Sequence, residues 1–312
     1  MIKIIRLVHN NLDKCLGNLS HLFMCIAIVV GAIFLSYTNK DTYKVDAWKH
    51  QLEMQNESIE ELVEKATLMG NRMKVYYDNL ITKNNYAIDH DIMPSDAFDN
   101  AKNIMSIHIF VDLLFIMTFS TLVVEEYSNR TINNMLCSPN SRNQILLAQF
   151  LTGILIMIEL LSVLFLSSVL TTGFKYGFSH IMDTVVVVRN NTVVHSTVLV
   201  QLVEQLLMFL PSFFFNLCIT FTLGHVFKKL VVASAVPIFL CFTGTIITDF
   251  LSNYKIGAIW PYVHTNMTQY FDGSQYYDFL SVESSLVVIL CYGILLYLIS
   301  FYFMKKGSKG RC

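Results

Sequence analysis

Long apolar runs separated by polar joints set the layout of this chain. Six of the runs are nearly free of charge over about 20 residues, the length that crosses ~30 Å of hydrocarbon. They cover residues 19–38, 104–124, 144–170, 196–224, 231–251 and 284–304. Ahead of them, residues 1–18 place Ile2, Ile5, Val8, Leu12 and Leu16 on one helical face, with Lys3, Arg6, Asn10, Asn11, Asp13 and Lys14 mostly elsewhere. That pattern predicts an amphipathic helix lying in a membrane interface. The 19–38 run begins too far in, is too long and has too few small residues at its end to read as a cleavable signal.

The polar joints differ in kind. Residues 39–103 carry a 3-4 apolar rhythm (Val45, Trp48, Leu52, Ile59, Leu62, Ala66, Met69, Met73, Tyr76, Leu80) faulted only at Gln55. The preserved phase favours one long helix, whereas Ser58-Ile-Glu-Glu61 reads as a capping box and favours two, with a break near Asn56. Both remain open, as does the question of whether the stripe meets its own hairpin partner or a second protein. In 171–195, Thr184 to Val188 and Thr192 to Val194 flank Arg-Asn-Asn and predict a small β-hairpin. Residues 252–283 are rich in Tyr and Phe, which concentrate at headgroup level, and predict short re-entrant or interfacial helices. Pro211 and Pro237 fall inside the fourth and fifth runs, where kinks are expected.

Composition agrees with the pattern. Apolar residues make up 54% of the chain and charged ones 14%, about half the share of a soluble domain. The expected fold class is an all-α polytopic membrane protein with six transmembrane helices, an N-terminal interfacial helix and a helical insertion between the first two. Lys and Arg cluster in 1–18, 125–143, 225–230 and the 305–312 tail, while the short joints on the other side hold only Lys175, Arg189 and Lys255. The positive-inside rule then puts both termini in the cytoplasm. A net charge of −1 gives no reason to expect a nucleic-acid partner. The seven cysteines fall in cytoplasmic pieces or spans, so no structural disulfide is expected.

The joint at 125–143, Glu-Glu-Tyr-Ser-Asn-Arg-Thr-Ile-Asn-Asn-Met-Leu-Cys-Ser-Pro-Asn-Ser-Arg-Asn, has internal order. Thr131 can cap a short helix whose Ile132, Met135 and Leu136 share one side, and Ser138-Pro139 stops it. Ser141-Arg-Asn-Gln144 is a second capping box that starts the third span. Glu125, Glu126, Arg130 and Arg142 flank the whole. An acid at the end of the second span, then Arg-Thr-Ile, Met-Leu, Ser-Pro, Ser-Arg and a return into Leu-Leu-Ala-Gln, resembles the coupling-helix region of ABC-2 type transporter permeases. The chain departs from that pattern with Arg130 where Gly is common and Gln149 where Lys is common. Six spans, an interfacial N-terminal helix and an extracellular insertion match a subset of the family over most of the chain.

The resemblance implies an exporter half. A second permease subunit, identical or related, and two copies of a cytosolic ABC ATPase would complete it. Thr131 to Pro139 would dock on the ATPase, and Glu125, Glu126, Arg130 and Arg142 would make charge contacts. The chain has no phosphate-binding loop of its own, so ATP and Mg²⁺ would sit on the partner and this chain is expected to have no catalytic residues.

Two other readings come from the residues. Glu125-Glu126-x-x-x-Arg130 followed by Phe221-Thr-Leu-Gly-His225 resembles the paired elements of intramembrane CAAX-type proteases, but the spacing is wide and His264 is followed by Thr268 where that family has Asn or Asp. A peptide-sensing or immunity protein without transport is the third class. Asp112, Glu159, Glu204 and Asp249 lie inside spans, at one expected outer depth, and suggest an acidic vestibule for a cationic, amphipathic substrate such as a basic peptide. The plainer alternative is hydrogen bonding to neighbours, Gln201 and Gln205 in the case of Glu204. His21 and His108 are read as having no second ligand at helical spacing, so no metal is expected.

Overall fold

The computed structural model describes residues 2–66, 71–128, 141–189 and 192–306. Eleven α-helices and one β-hairpin are assigned among them: α1 Ile2–Leu16, α2 Leu19–Thr38, α3 Trp48–Ala66, α4 Asn71–Asp89, α5 Asp96–Met105, α6 His108–Ser128, α7 Arg142–Tyr176, β1 Thr184–Arg189, β2 Thr192–Thr197, α8 Val198–Phe227, α9 Leu230–Leu251, α10 Gln269–Asp272 and α11 Val282–Lys306. Six stretches are long and apolar enough to cross a membrane: α2, α5 with α6, α7, α8, α9 and α11. Several run past their expected ends. Gly177, with φ +99°, closes α7, and Lys228 in the left-handed region closes α8. Helices α8 and α9 continue through Pro211 and Pro237.

The core lies where α6, α7 and α8 meet. Phe115, Phe119, Phe213 and Phe221 are fully buried there, and Phe150 of α7 meets Phe221 and Tyr297 edge-on. A Cβ on Gly153 would stand 2.5 Å from the Phe119 ring, so the bare glycine is what lets α6 approach α7. By contrast, Phe239, Phe242, Ile246 and Phe250 on α9 and Leu290, Ile294 and Leu298 on α11 are exposed. Apolar faces of that extent suit hydrocarbon rather than water.

In the insertion α3 packs against α4, and residues 67–70 between them lie outside the described residues. Helix α3 runs unbroken through the proposed cap, with Ser58 Oγ donating to the Gln55 carbonyl 2.8 Å away. Asn56, expected near a break, is buried instead: its Nδ2 donates to Asn85 Oδ1 and its Oδ1 accepts from Asn84 Nδ2, each at 2.8 Å. These amides join α3 to α4 beside the small apolar cluster of Trp48, Leu52 and Ala87. The stripe therefore meets its own partner in α4, while Met54 and Leu62 are exposed.

The expected β-hairpin is present, pairing Thr184 with Thr197 and Arg189 with Thr192. Helix α4 leans on it, and Tyr86 Oη lies 3.1 Å from His195 Nε2. At the same end, Asn100 Nδ2 donates to Thr172 Oγ1 (2.9 Å) and Ser36 Oγ (3.3 Å), tying α5 to α7 and α2. Lys175 Nζ donates to the Ser36 and Asn39 carbonyls that end α2.

The aromatic segment between α9 and α11 contains short helical elements, as expected, and packs part of itself into the bundle. Tyr262, Val263, Met267, Tyr270 and Tyr277 are buried in protein, although Tyr254, Ile256, Ile259 and Phe279 are exposed. Two 3-10 turns, Lys255–Ile259 and Pro261–Val263, fold it back into the bundle. The buried His264 is its polar centre. Nε2–H donates to the Ala258 carbonyl at 2.8 Å, so Nδ1 is the acceptor facing Ser285 Oγ at 2.7 Å, with Tyr270 Oη 2.5 Å from the same hydroxyl. Burial holds the His264 imidazole below its ordinary pKa, against the opposing pull of the Ala258 carbonyl. A histidine depressed in the fold stabilises it above the unfolded pKa, near 6.5, and that stability drains away as pH falls below it. Lowering pH from about 7.5 to about 5 is therefore expected to speed backbone hydrogen exchange over residues 255–280, once intrinsic rates are corrected. H264Q should remove the step; an identical profile at both pH values would refute the assignment.

Candidate functional site

Among the described residues, polar side chains interrupt the apolar bundle at both ends and in the middle. At the end carrying α1, the last turn of α6 presents Glu126 into the interior, where it accepts from Gln149 Nε2 of α7 and lies 3.8 Å from Lys14 Nζ of α1. Glu126 is buried and Glu125 beside it is exposed. The next residue, Tyr127, has its hydroxyl 2.6 Å from His225 Nδ1 of α8, in hydrogen-bond contact, and Lys228 stands over the tyrosine ring. Helix α7 starts with the expected capping box: Ser141 Oγ accepts from Gln144 N–H, and Gln144 Oε1 accepts from Ser141 N–H. Arg142 reaches the Lys305 carbonyl near the end of α11. The anticipated docking residues Arg130, Thr131, Ile132, Met135, Leu136 and Pro139 lie outside the described residues.

The two helices that flank this segment are thus joined to each other by Glu126 and Gln149, with Lys14 of α1 beside Glu126 and Arg142 of α7 against α11. Gln149, noted from sequence only as a departure from a family pattern, is the residue that bridges them. A cavity of about 350 Å³ opens beside Glu126, lined by Lys14, His21, Met24, Met117, Thr118 and Glu125 among others.

In the middle of the bundle, Asp112 Oδ2 accepts from Asn216 Nδ2 at 2.6 Å, and Asn216 Oδ1 accepts from the Tyr262 hydroxyl at 3.2 Å. This chain joins α6, α8 and the returning aromatic segment.

At the hairpin end, Glu204 is paired with Arg189 of β1 and accepts from Gln201 Nε2 at 2.9 Å. The Arg189 guanidinium also stands over the Phe271 ring, 5.4 Å from its centre. These groups line a second cavity of about 480 Å³ together with Lys83, Lys102 and Asp272. His108 stacks on Phe209 in its wall, with ring centres 3.8 Å apart.

The four acids thus do not form one acidic vestibule. Asp112 is in the central network, Glu204 is neutralised by Arg189, and Asp249 accepts from the Tyr276 hydroxyl at 2.9 Å. Glu159 pairs instead with His21, at the start of α2 and near α1, with Nε2 3.0 Å from Oε1. The cations on the larger cavity (Lys83, Lys102, Arg189) are balanced by Glu204, Asp272 and the neighbouring Asp99. Arg189 lies 15 residues before Glu204 in another element, so neither spacing nor periodicity announces the pair. His21 does have a neighbour at helical spacing: Cys25, one turn on, has its Sγ 3.9 Å from His21 Nε2. That corrects the ground on which a metal was set aside.

An all-helical polytopic membrane protein is the class these features define. Within it, the chain belongs to the family described as "Protein of unknown function (DUF2705)", whose model matches residues 62–307. It is 26% identical over 286 residues to the uncharacterized protein YhcI of Bacillus subtilis (strain 168), covering 89% of this chain and 90% of that one. No solved structure matches it.

Proposed function

We propose that the chain is the transmembrane permease subunit of an ATP-driven exporter of the ABC-2 kind. It lies in the plasma membrane with both termini in the cytoplasm and pairs with a second permease, identical or related. A separate cytosolic ATPase, two copies per exporter, holds the ATP and Mg²⁺. The observation that carries this reading is the bracing around residues 129–140. Glu126 on one flank is gripped by Gln149 of the other flank and by Lys14 of α1, and Ser141 caps the return into α7. A push on the intervening segment would reach α1, α6 and α7 together, as a coupling element requires, because packed helices move as units rather than bending continuously.

The lining of the 480 Å³ cavity favours an amphipathic solute. Apolar walls from Leu80, Met208, Phe209 and Phe271 stand beside balanced charges, Arg189 paired with Glu204 and both Lys83 and Lys102 facing Asp99, which gives no preference for the basic peptide expected from sequence. Proteolysis gains no support from the geometry: His225 Nδ1 is taken up by Tyr127, while Glu126 is engaged by Gln149 and Lys14.

The test is to co-express the full chain with the ATPase encoded nearest to it and reconstitute both in vesicles. I132C and M135C are expected to crosslink to the ATPase, and I132D to cut chain-stimulated ATP hydrolysis about tenfold or more. Absence of any crosslink, together with cleavage of 129–140 by protease added outside intact cells, would sink the proposal.

A further inference from the structure

One cluster is used by none of this. His21 is buried at the start of α2, and its Nε2 faces two donors at once, Glu159 Oε1 at 3.0 Å and Cys25 Sγ at 3.9 Å. The three ligand atoms all lie within 4.8 Å of one another. The other ring nitrogen, Nδ1, faces Cys15 Sγ of α1 at 3.7 Å. We propose that His21, Cys25 and Glu159 form a binding site for a zinc-class transition-metal cation, with Cys15 as the outer partner that orients the imidazole.

Geometry supports it first. Tetrahedral ligands about 2.0–2.3 Å from a zinc ion stand roughly 3.3–3.6 Å apart, so the two contacts to Nε2 bracket the required separation. Small rotations of the Cys25 and Glu159 side chains are enough to close it. His21 and Cys25 sit one turn apart on a single face of α2, and Glu159 comes from α7, so two helices supply the set, with every ligand separation at or under 4.8 Å. Donor chemistry comes next. One imidazole nitrogen, one thiolate and one carboxylate form a mixed nitrogen, sulfur and oxygen set, which favours zinc or cobalt over magnesium or calcium. Ligating histidines characteristically hold their second nitrogen against another polar group, the position Cys15 occupies here.

Charge is the third argument. A carboxylate within a spanning helix calls for a compensating partner. Lys14 is directed to Glu126, and the group paired with Glu159 is His21. A bound dication would compensate Glu159 and a Cys25 thiolate together. The fourth coordination position has room, because His21 lines the 350 Å³ cavity that runs beside Met24 and Thr118. Met24 itself is engaged, its sulfur accepting from Thr118 Oγ1 at 2.8 Å, which leaves water as the natural fourth ligand. Binding would pin α2 to α7 just after the elbow at Gly17 and Asn18 that leads out of α1. The site owes nothing to transport and stands or falls independently of it.

The experiment uses the full chain, purified in detergent and stripped with a chelator. Titration with Co²⁺ is expected to give a thiolate-to-cobalt charge-transfer band saturating at one equivalent, and Zn²⁺ to abolish it. C25S should lose the band, H21N and E159Q should weaken binding about tenfold or more, and C15S should keep the band. Binding that is unchanged in C25S and E159Q would overturn the site. Should these variants misfold, maleimide labelling of the unaltered chain decides: Zn²⁺ is expected to slow labelling of Cys25 at least fivefold and leave the exposed Cys291 unaffected. Equal labelling of Cys25 with and without Zn²⁺ would refute the proposal.

Discussion

Replacing Asn216 with leucine is expected to destabilise the protein by about 2–4 kcal/mol. Asn216 is buried, and both ends of its amide are engaged, Nδ2 by Asp112 and Oδ1 by the Tyr262 hydroxyl. Hydrogen bonds between transmembrane helices average only ~0.6 kcal/mol, because the unfolded chain in a membrane also finds partners. The bonds alone would therefore cost about 1 kcal/mol. The remainder comes from what leucine leaves behind, a buried Tyr262 hydroxyl without its partner and a buried carboxyl that keeps only Ser212 and the Cys241 thiol, together about 1–3 kcal/mol. Y262F removes one hydroxyl and strands only the amide oxygen, so it should cost about 1 kcal/mol. Denaturant titration of the purified chain in mixed micelles measures both. A loss below about 0.5 kcal/mol for N216L would mean that Ser212, Cys241 or water meets the whole need of Asp112.

How much of this was readable beforehand depends on the range of the interactions. Apolar runs of span length, the β-branched valines on either side of residues 189–191 and the Ser141–Gln144 box are local patterns, and each appears in place. Sequence left the insertion open between one long helix and two with a break near Asn56, where the Ser58–Glu61 box pointed. The partners of Asn56 are Asn84 and Asn85, 28 and 29 residues away, so no local pattern could show that it is a contact between α3 and α4. The same holds for the acids. His21 and Glu159 are 138 residues apart, so their pairing depends on how α2 and α7 align, which periodicity does not encode. Cys25 was within reach of sequence reasoning, one turn from His21, but its significance appears only once Glu159 closes the third corner. In the aromatic segment the expected short helices are present, at Lys255–Ile259, Pro261–Val263 and Gln269–Asp272. What local pattern could not show is that Tyr262 and Tyr270 place their hydroxyls on Asn216 and Ser285 inside the protein.

Gly244 offers a sharper test of that inward fold. A Cβ built on it would lie 2.5 Å from the Tyr262 ring, closer than any relaxed contact, and Trp260 Nε1 donates to its carbonyl at 3.4 Å. Helix α9 and the ring touch only because the residue between them has no side chain. G244A must push Tyr262 away from α9, and the ring has no slack, since its hydroxyl is held by Asn216 and its face is packed edge-on by Phe215. Overpacking of a fitted core costs about 1–3 kcal/mol, and displacement of the ring adds the loss of the Asn216 bond, so about 2–3 kcal/mol is expected in total. The two mutations share that bond, so they cannot be additive. In a double-mutant cycle, G244A combined with Y262F should cost less than the sum of the singles by at least about 0.5 kcal/mol, because the hydroxyl contact is lost only once. Y262L, which removes the clash, should make the added alanine nearly neutral. Strict additivity in both cycles would mean that Tyr262 does not lie against α9, and the central network joining α6, α8 and the aromatic segment would have to be redrawn.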